Sequence, residues 1–260
     1  MFDPITRLKK RLAEGQILIG SGIYFTDPQA SEALADSFDF LWYDMEHSGM
    51  SLEALRNHLM VARTKNKPTI VRVTASGTPF IKPVLDAGAS GIVVPQVRSV
   101  EEVRQVVSDC RYPPLGQRGF GPLIPTNYGR DDGGVDYAER ANAGIYVSVM
   151  LETAEALEAI DEIVAVPGLD GVVIGPWDLS ASLGLLGEVE HPTLVGAMEK
   201  IIETARAAGL SVGSGMPVDA DFAAQQADRG VQLLQVGGDI VYAIKSADQI
   251  VNAIHTKLGT

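Results

Sequence analysis

Two kinds of segment alternate along the chain. Short apolar, often β-branched runs end at glycine, proline or a charged residue, and the longer stretches between them carry apolar residues three and four positions apart. Several runs, such as GIVV at 91–94 and GVVI at 171–174, do not alternate with polar residues, which is typical of parallel strands buried on both faces. The pattern predicts strands at Ile17–Ile23, Phe40–Asp44, Thr69–Val73, Gly91–Val94, Tyr146–Leu151, Gly171–Ile174, Leu210–Gly213 and Leu233–Val236.

Helical periodicity occupies the gaps between these runs. A segment that starts at Ser51 has a good N-cap residue and one apolar face, and Gly88 is typical of the end of another helix. We expect further helices at Pro4–Glu14, Ser99–Val107, Ala154–Ile163, Pro192–Ala208, Ala220–Ala227 and Ile240–Leu258. Strand-and-helix units in this number and a chain of this length predict an α/β fold, a single (β/α)8 TIM barrel over residues 1–260 with an extra N-terminal helix. A doubly wound open sheet is the alternative fold.

One connection in this pattern is unusually long. Residues 111–134, with the sequence RYPPLGQRGFGPLIPTNYGRDDGG, follow a predicted helix and are rich in glycine and proline. Long connections without regular structure often act as lids or binding loops, so we expect a functional role for this segment.

Composition and charge narrow the classes of function. The chain has 260 residues, 46% hydrophobic and 21% charged, as ordinary globular proteins do. Its net charge of −12 argues against binding to nucleic acids or to anionic membrane surfaces. The lone Cys110 excludes an intrachain disulfide and a multi-cysteine zinc site, and its simplest interpretation is a small packing residue. With no signal-peptide pattern and no run of 18 apolar residues, we expect a cytoplasmic protein.

Several ionisable residues lie at the ends of predicted strands, where the catalytic groups of barrel enzymes are found. Catalytic groups of (β/α)8 barrels lie at the C-terminal ends of the strands, which meet at one mouth. The polar residues at the ends of predicted strands two, three, five and six are Asp44, Glu46, His47, Arg72, Glu152 and Asp178. Their coincidence at four strand ends predicts a site in the mouth.

Each of these residues also has a simpler interpretation. Glu152 and Asp178 precede predicted helices, where a carboxylate interacts favourably with the helix dipole. His47 has the alternative of an ordinary loop histidine. Arg72 is harder to explain structurally, because an arginine within an apolar strand must be paired with a carboxylate or an anionic ligand.

Two carboxylates from neighbouring strands suit a hard divalent cation that keeps water ligands. We expect Mg²⁺ or Mn²⁺, with Co²⁺ as a further candidate; a multi-histidine zinc site is disfavoured because only His47 lies near the mouth. GFG at 119–121 is not a dinucleotide-binding fingerprint, and Ser214 lacks the spacing of a nucleophile elbow. No lysine lies at the end of a predicted strand, which favours metal activation of a carbonyl over a Schiff base.

Seven segments resemble one known family, the metal-dependent class II pyruvate aldolases of the HpcH/HpaI group. That group includes aldolases of 2,4-dihydroxyhept-2-ene-1,7-dioate, 2-keto-3-deoxy-L-rhamnonate and hydroxypyruvate. The segments lie between residues 15 and 245 and are FDFLWYDMEHS, PTIVRVT, IKPVLDAGASGIVVPQVRSVEE, RYPPLGQRGFGP, LETAEAL, GLDGVVIGPWDLSASLG and GVQLLQVGGD. The resemblance implies reversible aldol cleavage of 2-keto acids, with pyruvate or hydroxypyruvate as the enolate donor and an aldehyde as the acceptor.

The resemblance also implies roles for the residues at the strand ends. Glu152 and Asp178 would be the metal ligands, and Arg72 would hold the keto oxygen and stabilise the enolate. His47, paired with Asp44, would form the general base through a metal-bound water.

Around that centre, the resemblance implies that Glu46 hydrogen-bonds to waters on the metal. Backbone amides at Gly175, Trp177 and Asp178 would hold the carboxylate of the keto acid at a helix N-terminus. Members are commonly hexamers, trimers of dimers that swap the last helix, so we expect a homo-oligomer.

The chain departs from the family pattern at three places. Met150 stands where many members have a glutamine that helps to form the keto-acid site, Trp177 replaces a small residue, and the segment GPLIPTNYGR differs from the loop that helps to choose the aldehyde. Two alternative functions remain open. One is a citrate-synthase-like carbon–carbon bond-forming enzyme, for which Arg118 and Arg130 are the obvious loop cations for coenzyme A. The other is a non-catalytic protein that binds a metal or a keto acid.

Overall fold

The strands of the protein form a closed parallel barrel. The computed structural model describes residues 2–131 and 135–260. Strands β1 to β8 pair in chain order, and β8 pairs with β1 to close the barrel. The strands are β1 Leu18–Ile23, β2 Phe40–Asp44, β3 Thr69–Arg72, β4 Gly91–Val94, β5 Tyr146–Leu151, β6 Gly171–Ile174, β7 Ser211–Met216 and β8 Leu233–Gly238. The predicted (β/α)8 barrel is confirmed, and the open-sheet alternative is wrong.

Helices surround this barrel and cover the end at which its strands begin. A short 3-10 turn at Ala35–Ser37 also precedes β2. The α-helices are α1 Asp3–Ala13, α2 Gln29–Leu34, α3 Leu52–Thr64, α4 Thr78–Asp86, α5 Val100–Cys110, α6 Val135–Gly144, α7 Ala154–Glu158, α8 Ile160–Val164, α9 Pro176–Ser182, α10 Pro192–Ala207, α11 Ala220–Asp228 and α12 Asp239–Leu258. Among the described residues, no helix combines the length and the apolar character needed to cross a bilayer.

The sequence pattern misses some helices and misplaces some boundaries. Helices α2 and α6 were not predicted, because segments of six to ten residues show too little apolar repetition to be recognised. The helix expected after Asp178 is present as α9, but it begins earlier, at Pro176. The helix expected at Ala154–Ile163 is divided at Ala159. Strands β7 and β8 run past their predicted ends because the barrel accepts glycine where neighbouring strands approach closely, as at Gly215 beside Gln235.

Helix α1 closes the N-terminal end of the barrel. Its side chains Ile5, Leu8 and Leu12 are buried in one cluster with Leu18 and Phe40 inside the barrel. Apolar side chains therefore fill the barrel at its N-terminal end. Among the described residues, this leaves the opposite end, where the strands have their C-termini, for a polar site.

The long connection lies at this closed end, away from the mouth. Arg111 donates to the carbonyl of Ile145, directly before β5, and Tyr112 N–H donates to Asn142. Tyr128 lines a small cavity with Thr69, at the start of β3. A role for residues 111–131 as a lid over the mouth of this chain's own barrel is therefore wrong; residues 132–134 lie outside the described part.

Candidate active site

The mouth of the barrel brings the predicted side chains together. Asp44 ends β2 and Arg72 ends β3, while Glu152 directly follows β5. Asp178 lies in the first turn of α9, which follows β6. A cavity of about 1060 Å³ opens at this end, and its lining includes Arg72, His47 and Asp178.

Asp44 and Arg72 form a buried ion pair in the floor of the mouth. The two residues are neighbours in the register of β2 and β3. Arg72 Nε donates to Asp44 Oδ1 at 3.0 Å, and Nη2 donates to Asp44 Oδ2, so the contact is bidentate. Burial lowers the pKa of Arg72, but the hydrogen bond and charge of Asp44 and the charge of Glu46 outweigh it and raise the pKa overall. The guanidinium therefore stays charged in a fixed orientation.

The remaining bonds of Asp44 organise the turn that carries Glu46 and His47. Asp44 Oδ1 accepts the backbone N–H groups of Glu46 at 3.0 Å and of His47 at 3.2 Å. The expected pairing of Asp44 with His47 is thus made by the backbone of His47. The His47 ring is exposed and its Nε2 lies 3.5 Å from Glu46 Oε2.

Glu46 connects the imidazole to the guanidinium. Its Oε2 lies 3.2 Å from Arg72 Nη1 and 3.5 Å from His47 Nε2. Burial raises the pKa of Glu46, although the charges of Arg72 and His47 act in the opposite direction. The carboxylate is therefore placed to orient the ring and to accept hydrogen bonds from within the mouth.

Glu152 is a buried carboxylate on the opposite side. The side chain is 2% exposed, and its Oε1 accepts the backbone N–H of Gln96 at 2.7 Å. Gln96 has a positive φ of 57°, an uncommon conformation that directs its N–H at this carboxylate. Burial above all, with the charges of Asp178 and Glu46, raises the pKa of Glu152 to about 7.

Gly175 makes the space that Glu152 occupies. A Cβ at position 175 would clash with the carboxylate of Glu152 and would lie 3.0 Å from its Cβ. Thr153, and not Glu152, caps the next helix, because its Oγ accepts the N–H of Ala156. The interpretation of Glu152 as a simple helix cap is therefore wrong.

Asp178 and Trp177 stand at the rim of the mouth. Both side chains are exposed, Trp177 to 63%, and both line the cavity. The charge of Asp178 contributes to the raised pKa values of Glu152 and Glu46, which places the three carboxylates in one electrostatic field.

The donor set of this wall fits a divalent cation. Within residues 2–131 and 135–260, no group of three or more His, Cys, Asp or Glu side chains is close enough to hold a metal ion. The pair Glu152 and Asp178 would therefore supply two oxygen ligands and leave the other positions to water and substrate, as Mg²⁺ sites in enzymes commonly do. A cation would also neutralise the like charges that raise the pKa of Glu152.

Met150 and the cysteine are apolar components. Met150 is buried, and its sulfur lies 3.9 Å from Arg72 Nη1. Cys110 is fully buried, and burial raises its pKa to about 12, so its interpretation as a packing residue is confirmed. No lysine is found among the described residues that line the mouth cavity.

Three residues near the mouth escape the sequence analysis. Tyr24 directly follows β1, Gln235 lies on β8, and Gln96 follows β4. Tyr24 and Gln235 line the cavity. The same search for polar residues at strand ends would have found Tyr24 and Gln96, but only charged residues were selected.

A family model covers nearly all of this architecture. The HpcH/HpaI aldolase/citrate lyase model matches residues 26–246. The chain belongs to this family.

Individual relatives agree with this assignment. The chain is 36% identical over 251 residues to a hydroxypyruvate/pyruvate aldolase of Roseovarius nubinhibens, covering 96% of each protein. It is 36% identical over 244 residues to a 2-keto-3-deoxy-L-rhamnonate aldolase of Escherichia coli K12, covering 93% of this chain and 90% of the relative. The crystal structure of the citrate synthase SbnG superimposes with a TM-score of 0.86 at 33% identity, covering 97% and 99% of the two chains. The prediction of an aldolase-type carbon–carbon lyase is confirmed.

Proposed function

We propose that the chain is a divalent-metal-dependent aldolase that interconverts a 2-keto acid and an aldehyde with a larger hydroxy-keto acid. The observation that carries this proposal is the division of the mouth into two walls, with the Arg72 cation on one and the Glu152 and Asp178 carboxylates on the other. Pyruvate or hydroxypyruvate is the proposed enolate donor, in agreement with the name of the relative from Roseovarius nubinhibens.

Arg72 is proposed to bind the keto oxygen and to stabilise the enolate. Asp44 and Glu46 hold its guanidinium from one side, and its raised pKa keeps it charged. A positive charge fixed before the reaction stabilises negative charge that develops on the oxygen without reorganisation. The Met150 sulfur lies 3.9 Å from Nη1 and places an apolar group on one side of the guanidinium.

His47 is proposed to move the proton. Its ring is open to the mouth and is oriented by Glu46, so the imidazole can accept a proton through water and return it to the product. Asp44 takes part by holding the turn, since its carboxylate binds the backbone N–H of His47.

Glu152 and Asp178 would hold the metal, for which we propose Mg²⁺ or Mn²⁺, with Co²⁺ as a further candidate. When bound, the ion acts as a Lewis acid toward the keto oxygen. Gly175, Trp177 and Asp178 are proposed to contact the keto-acid carboxylate, because all three line the cavity beside the metal wall.

Exchange of the pyruvate methyl protons with deuterium tests the proposal without an aldehyde. Purified protein with Mg²⁺ or Mn²⁺ is expected to exchange these protons, and EDTA is expected to stop the exchange. Exchange that survives complete metal removal contradicts the metal-dependent reaction, and no exchange with any divalent metal favours the non-catalytic alternative.

The citrate-synthase-like alternative has one structural relative in its favour, SbnG. It would need cations for coenzyme A, but Arg118 is fully buried, bonded to Asp86 at 2.6 Å and stacked on Tyr112. Arg118 is therefore unable to bind a cofactor at the mouth. Formation of citrate from oxaloacetate and acetyl-coenzyme A, faster than any aldol reaction, would favour this alternative.

The last helix supports the proposal of a homo-oligomer. Of the residues in α12, only Asp239 is buried, while Ile244, Ile250 and Ile254 are at least half exposed. We propose a hexamer, a trimer of dimers in which α12 packs on a neighbouring copy, since burial of these side chains favours association. Light scattering on the purified chain measures the assembly, and a monomer at micromolar concentration contradicts it.

A further inference from the structure

The wall of the mouth formed by β1 and β8 carries two polar side chains that the proposed reaction does not use. Tyr24 and Gln235 both line the cavity beside Arg72. The two side chains are neighbours, since both lie against Gly22, and Tyr24 also lies in the electrostatic field of Asp44 and Arg72. This pair therefore faces the same space as the guanidinium.

Glycines make the space in which the pair lies. A Cβ at Gly22 would lie 2.8 Å from Tyr24 Cε2 and 2.8 Å from Gln235 Nε2. A Cβ at Gly238 would lie 2.8 Å from Tyr24 Cδ2, and one at Gly215 would lie 2.8 Å from Gln235 Oε1. Three strands thus lack side chains where the phenol ring and the amide need room.

The backbone at Tyr24 is held as firmly as the ring. Asp239 is buried, and its carboxylate accepts the N–H of Tyr24 at 3.0 and 3.1 Å and the N–H of Phe25 at 3.0 Å. The Gln235 amide donates a further hydrogen bond to the carbonyl of Gly237. The position of the phenol is therefore determined from its backbone and from the close packing of its ring, as in a preorganised binding group.

The phenol is available as a hydrogen-bond donor. Burial raises the pKa of Tyr24, so the hydroxyl keeps its proton at neutral pH. The neighbouring Gln235 amide acts in the opposite direction and lowers this pKa, but burial outweighs it. Within the described ranges, no hydrogen bond donated by the phenol is found, so its proton is left to a ligand.

The Tyr24 phenol and the Gln235 amide are suited to bind a neutral hydroxyl group of a ligand. The carboxylates of Asp44 and Asp239 both act on the phenol and disfavour a second anion there. The positive charge of Arg72 is already shared by Asp44 and Glu46. A phenol and an amide together offer donors and acceptors, which is the combination that a hydroxyl group satisfies.

We infer that Tyr24 and Gln235 form a hydroxyl-binding pair that makes the enzyme selective for substrates with a hydroxyl group next to the bond that is formed or broken. The inference rests on the proposed aldolase reaction. In the order of the barrel, β1 and β8 lie across from β4 and β5, so the part of a keto acid that points away from Glu152 meets this wall. The hydroxyl belongs either to the donor, as in hydroxypyruvate, or to the aldehyde acceptor.

Tyr24→Phe tests the inference, because it removes one oxygen and leaves the ring between its glycines. Two matched pairs of substrates are compared by kcat/KM: hydroxypyruvate against pyruvate as donors, and glycolaldehyde against acetaldehyde as acceptors. In one pair, the preference for the hydroxylated member is expected to fall by roughly tenfold, the loss of one hydrogen bond. The pair that changes identifies the source of the hydroxyl.

Further variants separate binding from structure. Gln235→Met is expected to reduce the same preference, whereas Tyr146→Phe, at the start of β5 in the closed end of the barrel, is expected to leave it unchanged. Thermal unfolding of each variant shows whether the fold is retained. Equal losses for both members of each pair, or unchanged preferences in both pairs, would overturn the inference.

A binding measurement separates this inference from the proposed function. Glycerate and lactate differ by the same hydroxyl and contain no keto group, so calorimetry with Mg²⁺ reports on binding without turnover. If the hydroxyl belongs to the donor, wild-type protein is expected to bind glycerate more tightly, and Tyr24→Phe is expected to reduce that preference. If it belongs to the acceptor, similar binding of the two acids is expected. If the wild type catalyses no exchange but the preference holds, only the reaction is wrong; if exchange occurs and all preferences survive in Tyr24→Phe, only the inference is wrong.

Discussion

The two walls of the mouth differ in whether their charged side chains have counter-ions. On the β2–β3 wall, Arg72 is bonded to Asp44 by two hydrogen bonds and lies 3.2 Å from Glu46. On the β5–β6 wall, Glu152 is more deeply buried than Arg72, but its hydrogen-bond partner is the neutral backbone N–H of Gln96. One wall contains its own counter-ions, and the other is short of positive charge.

This difference indicates that a bound cation supplies the positive charge that the β5–β6 wall lacks. A buried carboxylate next to other carboxylates has a raised pKa, as Glu152 does, unless a cation joins it. The completed ion pair at Arg72 fixes a group in place, whereas the incomplete site at Glu152 favours the binding of a metal ion. The comparison is sharpened by variants that change one wall at a time.

The largest effect is expected at Arg72. Arg72→Ala removes the fixed positive charge from the proposed oxyanion position, and pyruvate proton exchange is expected to fall by about 1000-fold. Arg72→Lys keeps a charge without the fork geometry and is expected to retain an intermediate rate. Circular dichroism corrects for unfolded protein, and full exchange in Arg72→Ala would show that the assigned role is wrong.

Stability is expected to respond differently to the loss of a carboxylate on each wall. Asp44→Asn breaks a buried ion pair and is expected to lower the free energy of unfolding by about 3 kcal/mol. Glu152→Gln removes a charge that has no cationic partner in metal-free protein, so a change of less than about 1 kcal/mol is expected. Urea unfolding in EDTA measures both, and equal losses would contradict the comparison.

Asp178 is expected to control the metal requirement. Asp178→Asn replaces a charged ligand by a neutral one, so the Mn²⁺ concentration for half-maximal exchange is expected to rise roughly 10- to 100-fold. Titration of exchange activity with Mn²⁺ measures this shift. An unchanged requirement would place the metal elsewhere.

The smallest effect is expected at Gly175. The methyl group in Gly175→Ala would displace the Glu152 carboxylate, so the Mn²⁺ requirement is expected to rise roughly tenfold through the changed ligand geometry. Gly196→Ala is a matched control, because that glycine lies within α10 and has nothing within 4 Å of an added Cβ. The control is expected to keep wild-type metal affinity; equal effects of the two variants would exclude a specific role for Gly175.

Most of the strand positions were predictable, because a strand of a parallel barrel is buried on both faces and its sequence is therefore a continuous run of apolar residues. Strands β2, β4, β5 and β6 have the predicted ends. The short helix α2 was missed, since six residues show no clear periodicity. The position of the long connection at the closed end was also missed, because a loop's composition does not reveal the end of the barrel at which it lies.

The candidate site shows the same division. Polar residues at strand ends were recognisable, because closure of a parallel barrel brings all such ends to one mouth. Neither the contact of His47 with Glu46 nor the space that Gly175 leaves for Glu152 was predictable. Both depend on side-chain directions in three dimensions.

The barrel and its mouth follow from the amino-acid sequence, since apolar runs define buried strands and the residues after them must lie at the open end. The pairing of the charges follows only from the folded arrangement, because it depends on register and on distances of a few ångströms between strands far apart in the chain. Asp44 meets Arg72 through such a register, and Tyr24 meets Gln235 only because β8 closes on β1.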